Sequence, residues 1–161
     1  MTQTTDPTRT VTVHAIDPPR LDAVRRAGAD GWGNPFMPYV ASGEGEPLRC
    51  CLRFARAGEQ IALISFAPFE QQSVWREVGP VYVHADHCEG YAERWLPDEL
   101  RRGPAVLRTY RADGTMNYEH NTLAGDEDLE PVLDRLLSEA DVATVHVRTV
   151  RPQCFLYAVS R

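Results

Sequence analysis

Cys51 has Arg49 two residues before it and Arg53 two residues after it. A thiol between two guanidinium groups is drawn toward its thiolate form. If 48–55 is a strand, Arg49, Cys51, Arg53 and Ala55 share one face, while Cys50, Leu52 and Phe54 share the other. That alternation makes Cys51 the candidate nucleophile and Cys50 a core residue. His84, in the strand-like run VYVHA, is the candidate acid/base, provided the two side chains come within hydrogen-bond reach.

A second constellation is cationic. Guanidinium forks bind carboxylate or phosphate through two parallel hydrogen bonds, so a sheet concavity carrying Arg49, Arg53 and Arg108, with Tyr110, Tyr118 and Trp32, would hold a small anion. The segment His84-Ala-Asp-His87-Cys88 contains imidazoles and a thiol, both zinc-ligand types. Yet His84 and His87 fall on opposite faces of a strand, and His87 and Cys88 reach a common site only if the turn after Ala85 swings them back. With no CxxC or HxxxH partner elsewhere, no metal ligands are assigned and no cofactor is expected. GxGxxG, GxSxG and P-loop patterns are absent, which removes the usual nucleotide cradles and the serine-hydrolase elbow.

Composition narrows the chemistry further. All 17 basic residues are Arg, which excludes a lysine Schiff base, a phosphate-binding lysine and a lysine general base together. The net charge of −6 opposes nucleic-acid binding, which needs clustered cations to displace counterions. No run approaches the ~18 apolar residues of a membrane span, and the first residues lack the pattern of a signal peptide, so a cytoplasmic protein is expected. The oligomeric state is not specified. A chain of 161 residues can bury ~70% of its unfolded surface and needs no disulfide or metal to fold. Its four cysteines, at 50, 51, 88 and 154, contain no CxxC pair and read as reduced thiols.

The elements that must position these residues are mostly strands. Residues 1–10 read as a flexible polar tail before a single domain over 11–161. Strands are expected at 11–16, at 48–55 and 60–69 as a hairpin, at 81–85, at 105–111 and 116–121 around the turn Asp113-Gly114, at 143–150 and at 154–160. Short helices are expected at 20–27 and 96–100. An amphipathic helix is expected over 126–140, where Leu129, Val132, Leu133, Leu136 and Leu137 fall at helical spacing. Residues 28–47 combine five Gly and three Pro with Trp32, Phe36, Met37 and Tyr39, which suggests a loop packed over a pocket or over the core. The fold class is therefore α+β, with a mainly antiparallel sheet of about eight strands, strongly curved or barrel-like.

Several of these segments carry a family likeness. Pro47, Arg49, Cys51 and Leu52 followed by Ala57-Gly58-Glu59, then Gly79-Pro80 with Val83-His84-Ala85 and Cys88, then His146-Val147-Arg148 and Cys154, resemble a bacterial family of small proteins, domain of unknown function 1203, over about 30–161. The resemblance implies a domain boundary but supplies no substrate. The family pattern admits Ser at the position of Cys51, so Arg49 fits it better. The leading expectation is a small anion bound between the sheet and the 32–39 loop. The alternatives are an enzyme with Cys51 as nucleophile and His84 as acid/base, or a protein-interaction module built on that loop.

Overall fold

A computed structural model describes residues 11–161; the expected tail, 1–10, lies outside the described residues. The elements run β1 (Thr12–His14), α1 (Pro18–Ala27), β2 (Tyr39–Val40), β3 (Pro47–Leu48), β4 (Arg53–Phe54), β5 (Gln60–Phe66), β6 (Gly79–His84), β7 (Ala105–Tyr110), β8 (Thr122–Ala124), α2 (Leu129–Ser138), β9 (Thr144–Arg148) and β10 (Phe155–Ser160). They form two five-stranded sheets, ordered β1-β10-β9-β7-β8 and β2-β5-β6-β3-β4. Strand pairs are antiparallel except β3 with β6. The expected α+β class and antiparallel pairing hold, but the described residues hold ten strands in two open sheets and form no barrel.

The first sheet lays one face on α2. Val145, Val147, Tyr157 and Val159 sit opposite one another in register and bury against Leu129, Val132, Leu133, Leu136 and Leu137 of the helix. The other face carries His146, Arg148, Arg108 and Ala158, with Arg108 directly opposite His146. A second core, including Leu21 of α1, Ile61, Ile64, Val81 and Val83, takes in Phe155 and Ala158 from this opposite face of β10. One strand thus walls both cores.

Three expectations fail locally. The run 48–55 is not one strand paired with 60–69. It breaks into β3, a turn over Arg49–Leu52 closed by Leu52 N–H on the Leu48 carbonyl at 3.0 Å, and β4. Leu52 adopts φ +57°, a left-handed conformation that a strand cannot contain. Residues 96–100 form a turn, not a helix; Pro97 accepts one bond from Leu100 N–H and no second turn follows. Around Asp113-Gly114 the turn forms as expected and Tyr110 pairs with Met116, but the ladder resumes only at β8, after a 3-10 turn over Tyr118–His120.

Candidate functional site

The broken strand at 49–52 determines where the chemistry lies. Because these residues turn, Arg49 points inward on one side while Cys50 and Cys51, adjacent in sequence, direct their sulfurs to a common point. That point is the end of β6. His84 Nδ1 lies 3.5 Å from Cys50 Sγ and 3.8 Å from Cys51 Sγ. Cys88, carried back by the turn after β6, completes a cluster in which one ligand-type atom from each of Cys50, Cys51, His84 and Cys88 lies within 4.8 Å of the others. From α1, Arg25 fixes this turn by donating to the carbonyls of His84 at 2.9 Å and Ala85 at 3.1 Å.

The far side of the imidazole is also held. His84 Nε2 lies 3.3 Å from Glu59 Oε1, and Glu59 takes two hydrogen bonds from Arg53, at 2.6 and 3.0 Å, and one from Arg56 N–H at 2.6 Å. These donors, the Arg53 side chain foremost, hold the Glu59 carboxyl down at about 2. Within the cluster, a hydrogen bond from the Cys51 thiol, then His84, lowers the Cys50 pKa, while donating that bond and burial raise Cys51. Hence the structure brings Cys51 and His84 together and adds Cys50, which is 1% exposed, to the same imidazole. Strand alternation assigned Cys50 to the core, where it is buried, and Cys51 to the other face; the turn instead directs both sulfurs to one imidazole.

Arg49 occupies a different setting. Its guanidinium donates Nε to the Phe155 carbonyl at 2.6 Å and Nη1 to the Pro47 carbonyl at 2.5 Å, tying the second sheet to β10. The residue is 2% exposed, and no carboxylate among the described residues pairs with it. Burial lowers its pKa to about 10. Arg49 lines a cleft of about 580 Å³ whose walls come from both sheets: Pro47, Phe54, Leu63 and Tyr82 on one side, Val147 and Leu156 on the other. Arg102 and Arg151, both exposed, stand along it.

The remaining candidates disperse. Arg53 serves Glu59. Arg108 donates to Glu77 at 2.5 Å and to Gln153 at 2.9 Å, and Glu77 also holds Arg148 at 2.8 Å. Tyr110 is 1% exposed, meets Phe69 edge-to-face and lies tilted against His146. Tyr118 is exposed and its hydroxyl accepts from Trp75 Nε1 at 2.9 Å. Trp32 lies over a separate space of about 470 Å³ lined by Leu21, Ile64 and Phe66, with the Arg76 guanidinium 5.6 Å from its ring. So the loop does overlie a hollow, but Arg49, Arg53 and Arg108 do not line it, and they do not converge on one anion. The expected single concavity is corrected to three separate settings, because two of the three arginines already have carboxylate partners.

Sequence reasoning missed Cys50 as a member of the cluster and Glu59 as the partner of His84. The Gly at 58 beside Glu59 marked a turn, but nothing local showed that this turn meets β6. His87, the other imidazole of its segment, faces Asp22 and Glu89 instead. Among the described residues, no helix is long and apolar enough to cross a membrane. A family described as "Protein of unknown function (DUF1203)" matches residues 45–161, the span that holds the cluster, the residues lining the cleft and every strand but β1 and β2. No curated protein and no solved structure matches the chain.

Proposed function

The chain belongs to the DUF1203 family, and we propose that it binds a small anion with an apolar body in the cleft between its two sheets, with Arg49 as charge partner. The observation that carries this reading is a guanidinium at 2% exposure with carbonyl partners only. Removing a cation from water costs several kcal/mol unless an opposite charge offsets it, and two carbonyl dipoles do so in part. A bound carboxylate or similar anion would complete that compensation. The cleft volume, about 580 Å³, suits a small ligand, and its lining of Pro47, Phe54, Leu63, Val147 and Leu156 suits an aliphatic or aromatic body. The reading keeps the small anion expected from the arginines but locates it away from the 32–39 loop.

Decanoate, with decanol as the uncharged control, tests the reading by isothermal titration. Decanoate should bind, and Arg49→Met, which keeps the aliphatic stem, should weaken it about 10- to 100-fold, the loss expected for a charged hydrogen bond. Leu63→Trp, which fills the cleft from a half-exposed position on β5, should block it with the fold intact by circular dichroism. Equal affinity for decanol, or unchanged binding by Arg49→Met, would overturn the reading.

A further inference from the structure

We propose that Cys50, Cys51, His84 and Cys88 form a closed tetrahedral site for a thiolate-preferring divalent metal ion, zinc by chemistry. Zinc binds sulfur at about 2.3 Å and imidazole nitrogen at about 2.0 Å, so a tetrahedral site has S···N edges of about 3.5 Å and S···S edges of about 3.8 Å. The two sulfur-to-Nδ1 distances here are 3.5 and 3.8 Å, and the whole set lies within 4.8 Å. An ion therefore needs side-chain adjustments of an ångström or less, without moving a strand.

The surroundings match the chemistry of a ligand set as well as its spacing. A metal-bound imidazole ordinarily gives its second nitrogen to a carboxylate, which fixes the tautomer and the ring plane. Glu59, clamped by Arg53 and the Arg56 N–H, stands at that nitrogen, so with an ion bound Nε2 would keep the proton and the Nδ1 lone pair would face the metal. A backbone N–H also meets the cluster: His84 N–H donates to Cys50 Sγ at 3.4 Å. Such a bond stabilises thiolate over thiol. Three thiolates and a dication leave one net negative charge, with the Arg53 guanidinium 3.4 Å from the imidazole.

Four protein ligands fill a tetrahedron, so the site is structural, with no position left for substrate. It fastens two segments distant in sequence: the turn at 49–52, and the end of β6 with the loop that follows it to Gly90. Those segments also border the Arg49 turn, but the metal site stands whether or not the cleft binds an anion.

Cobalt(II) titration of the chelator-treated full chain, kept reduced with a phosphine, tests the site. The expected result is saturation at one equivalent with the intense red-region absorption of tetrahedral cobalt and sulfur-to-cobalt charge transfer, both displaced by zinc. Cys88→Ser, in a half-buried loop position, should abolish the tetrahedral spectrum. Cys154→Ser, outside the cluster, should leave it unchanged, and both variants should keep the far-ultraviolet spectrum of the parent. Glu59→Gln should retain the spectrum and weaken zinc affinity about 10- to 100-fold. A weak octahedral spectrum, no saturation at one equivalent, or a Cys88→Ser titration identical to the parent's would overturn the assignment.

Discussion

His146 is a titratable group placed where its surroundings oppose protonation. It is 2% exposed on β9 and packed among the rings of Phe69, Tyr110 and Phe155, with ring centroids 4.5 to 5.2 Å away. Burial, then the charges of Arg148 and Arg108, lower its pKa from 6.5 to about 3. Between those values the unfolded chain binds a proton that the folded chain refuses, so stability is complete above 6.5 and is lost as pH falls toward 3. The slope is at most about 1.4 kcal/mol per pH unit, or about 2 kcal/mol by about pH 5. Urea titrations at about pH 7 and about pH 5 should show this loss in the parent, and His146→Phe should remove that part of it. An unchanged pH dependence in His146→Phe would show that other groups carry it. At this scale the sequence was partly legible. Cys51 and His84 stood out by residue type, and they do meet, whereas Arg49, Arg53 and Arg108, grouped by charge alone, go to separate partners. Cys50 is buried in the core as alternation assigned it, but the meeting of its sulfur with His84 was missed because alternation holds only inside a strand, and Leu52 takes a left-handed conformation that its side-chain type does not announce.

Elements whose residues are set by a local period were read closely, and α2 is the clearest. Its five buried apolar residues, Leu129, Val132, Leu133, Leu136 and Leu137, are those whose spacing predicted it. The helix begins at Leu129 because the Asp128 carboxylate accepts the Glu130 N–H at 3.0 Å, and Asp128 also takes a hydrogen bond from Arg101 at 2.9 Å. Leu133, 2% exposed in the core beneath the first sheet, should cost about 2–5 kcal/mol when replaced by Ala. Asp128→Ala should cost about 1 kcal/mol through the lost cap. Equilibrium urea denaturation ranks the two, and an Asp128→Ala loss as large as that of Leu133→Ala would mean that the Arg101 pair, not the cap, dominates this helix start. The strands were harder to read where their partners are remote. The pairing of β3 with β6 in parallel, and of β1 with β10 across almost the whole chain, depends on contacts that no short window contains.

At the scale of the molecule, the two cores share walls. Tyr157 and Val159 of β10 pack toward α2, while Phe155 and Ala158 of the same strand pack into the second core. Cross-links run between the sheets as well: Ile16 N–H donates to the Arg49 carbonyl at 2.9 Å, and Arg49 Nε to the Phe155 carbonyl at 2.6 Å. Neither sheet can lose its order without stripping a face from the other, so the 11–161 unit should unfold in a single transition. Native tryptophans report on the two halves separately. Trp32 lies beside Leu21 and Ile64 of the second core, and Trp95 accepts, through its carbonyl, the hydroxyl of Tyr91, which packs on the first. Two variants, one keeping Trp32 and the other keeping Trp95 with the remaining tryptophans changed to Phe, should each give a fluorescence midpoint in urea that coincides with that variant's own far-ultraviolet midpoint. If each variant's fluorescence midpoint departed from its own circular dichroism midpoint, the shared strand would not couple the sheets, and the cleft between them would be a hinge between separately folding halves.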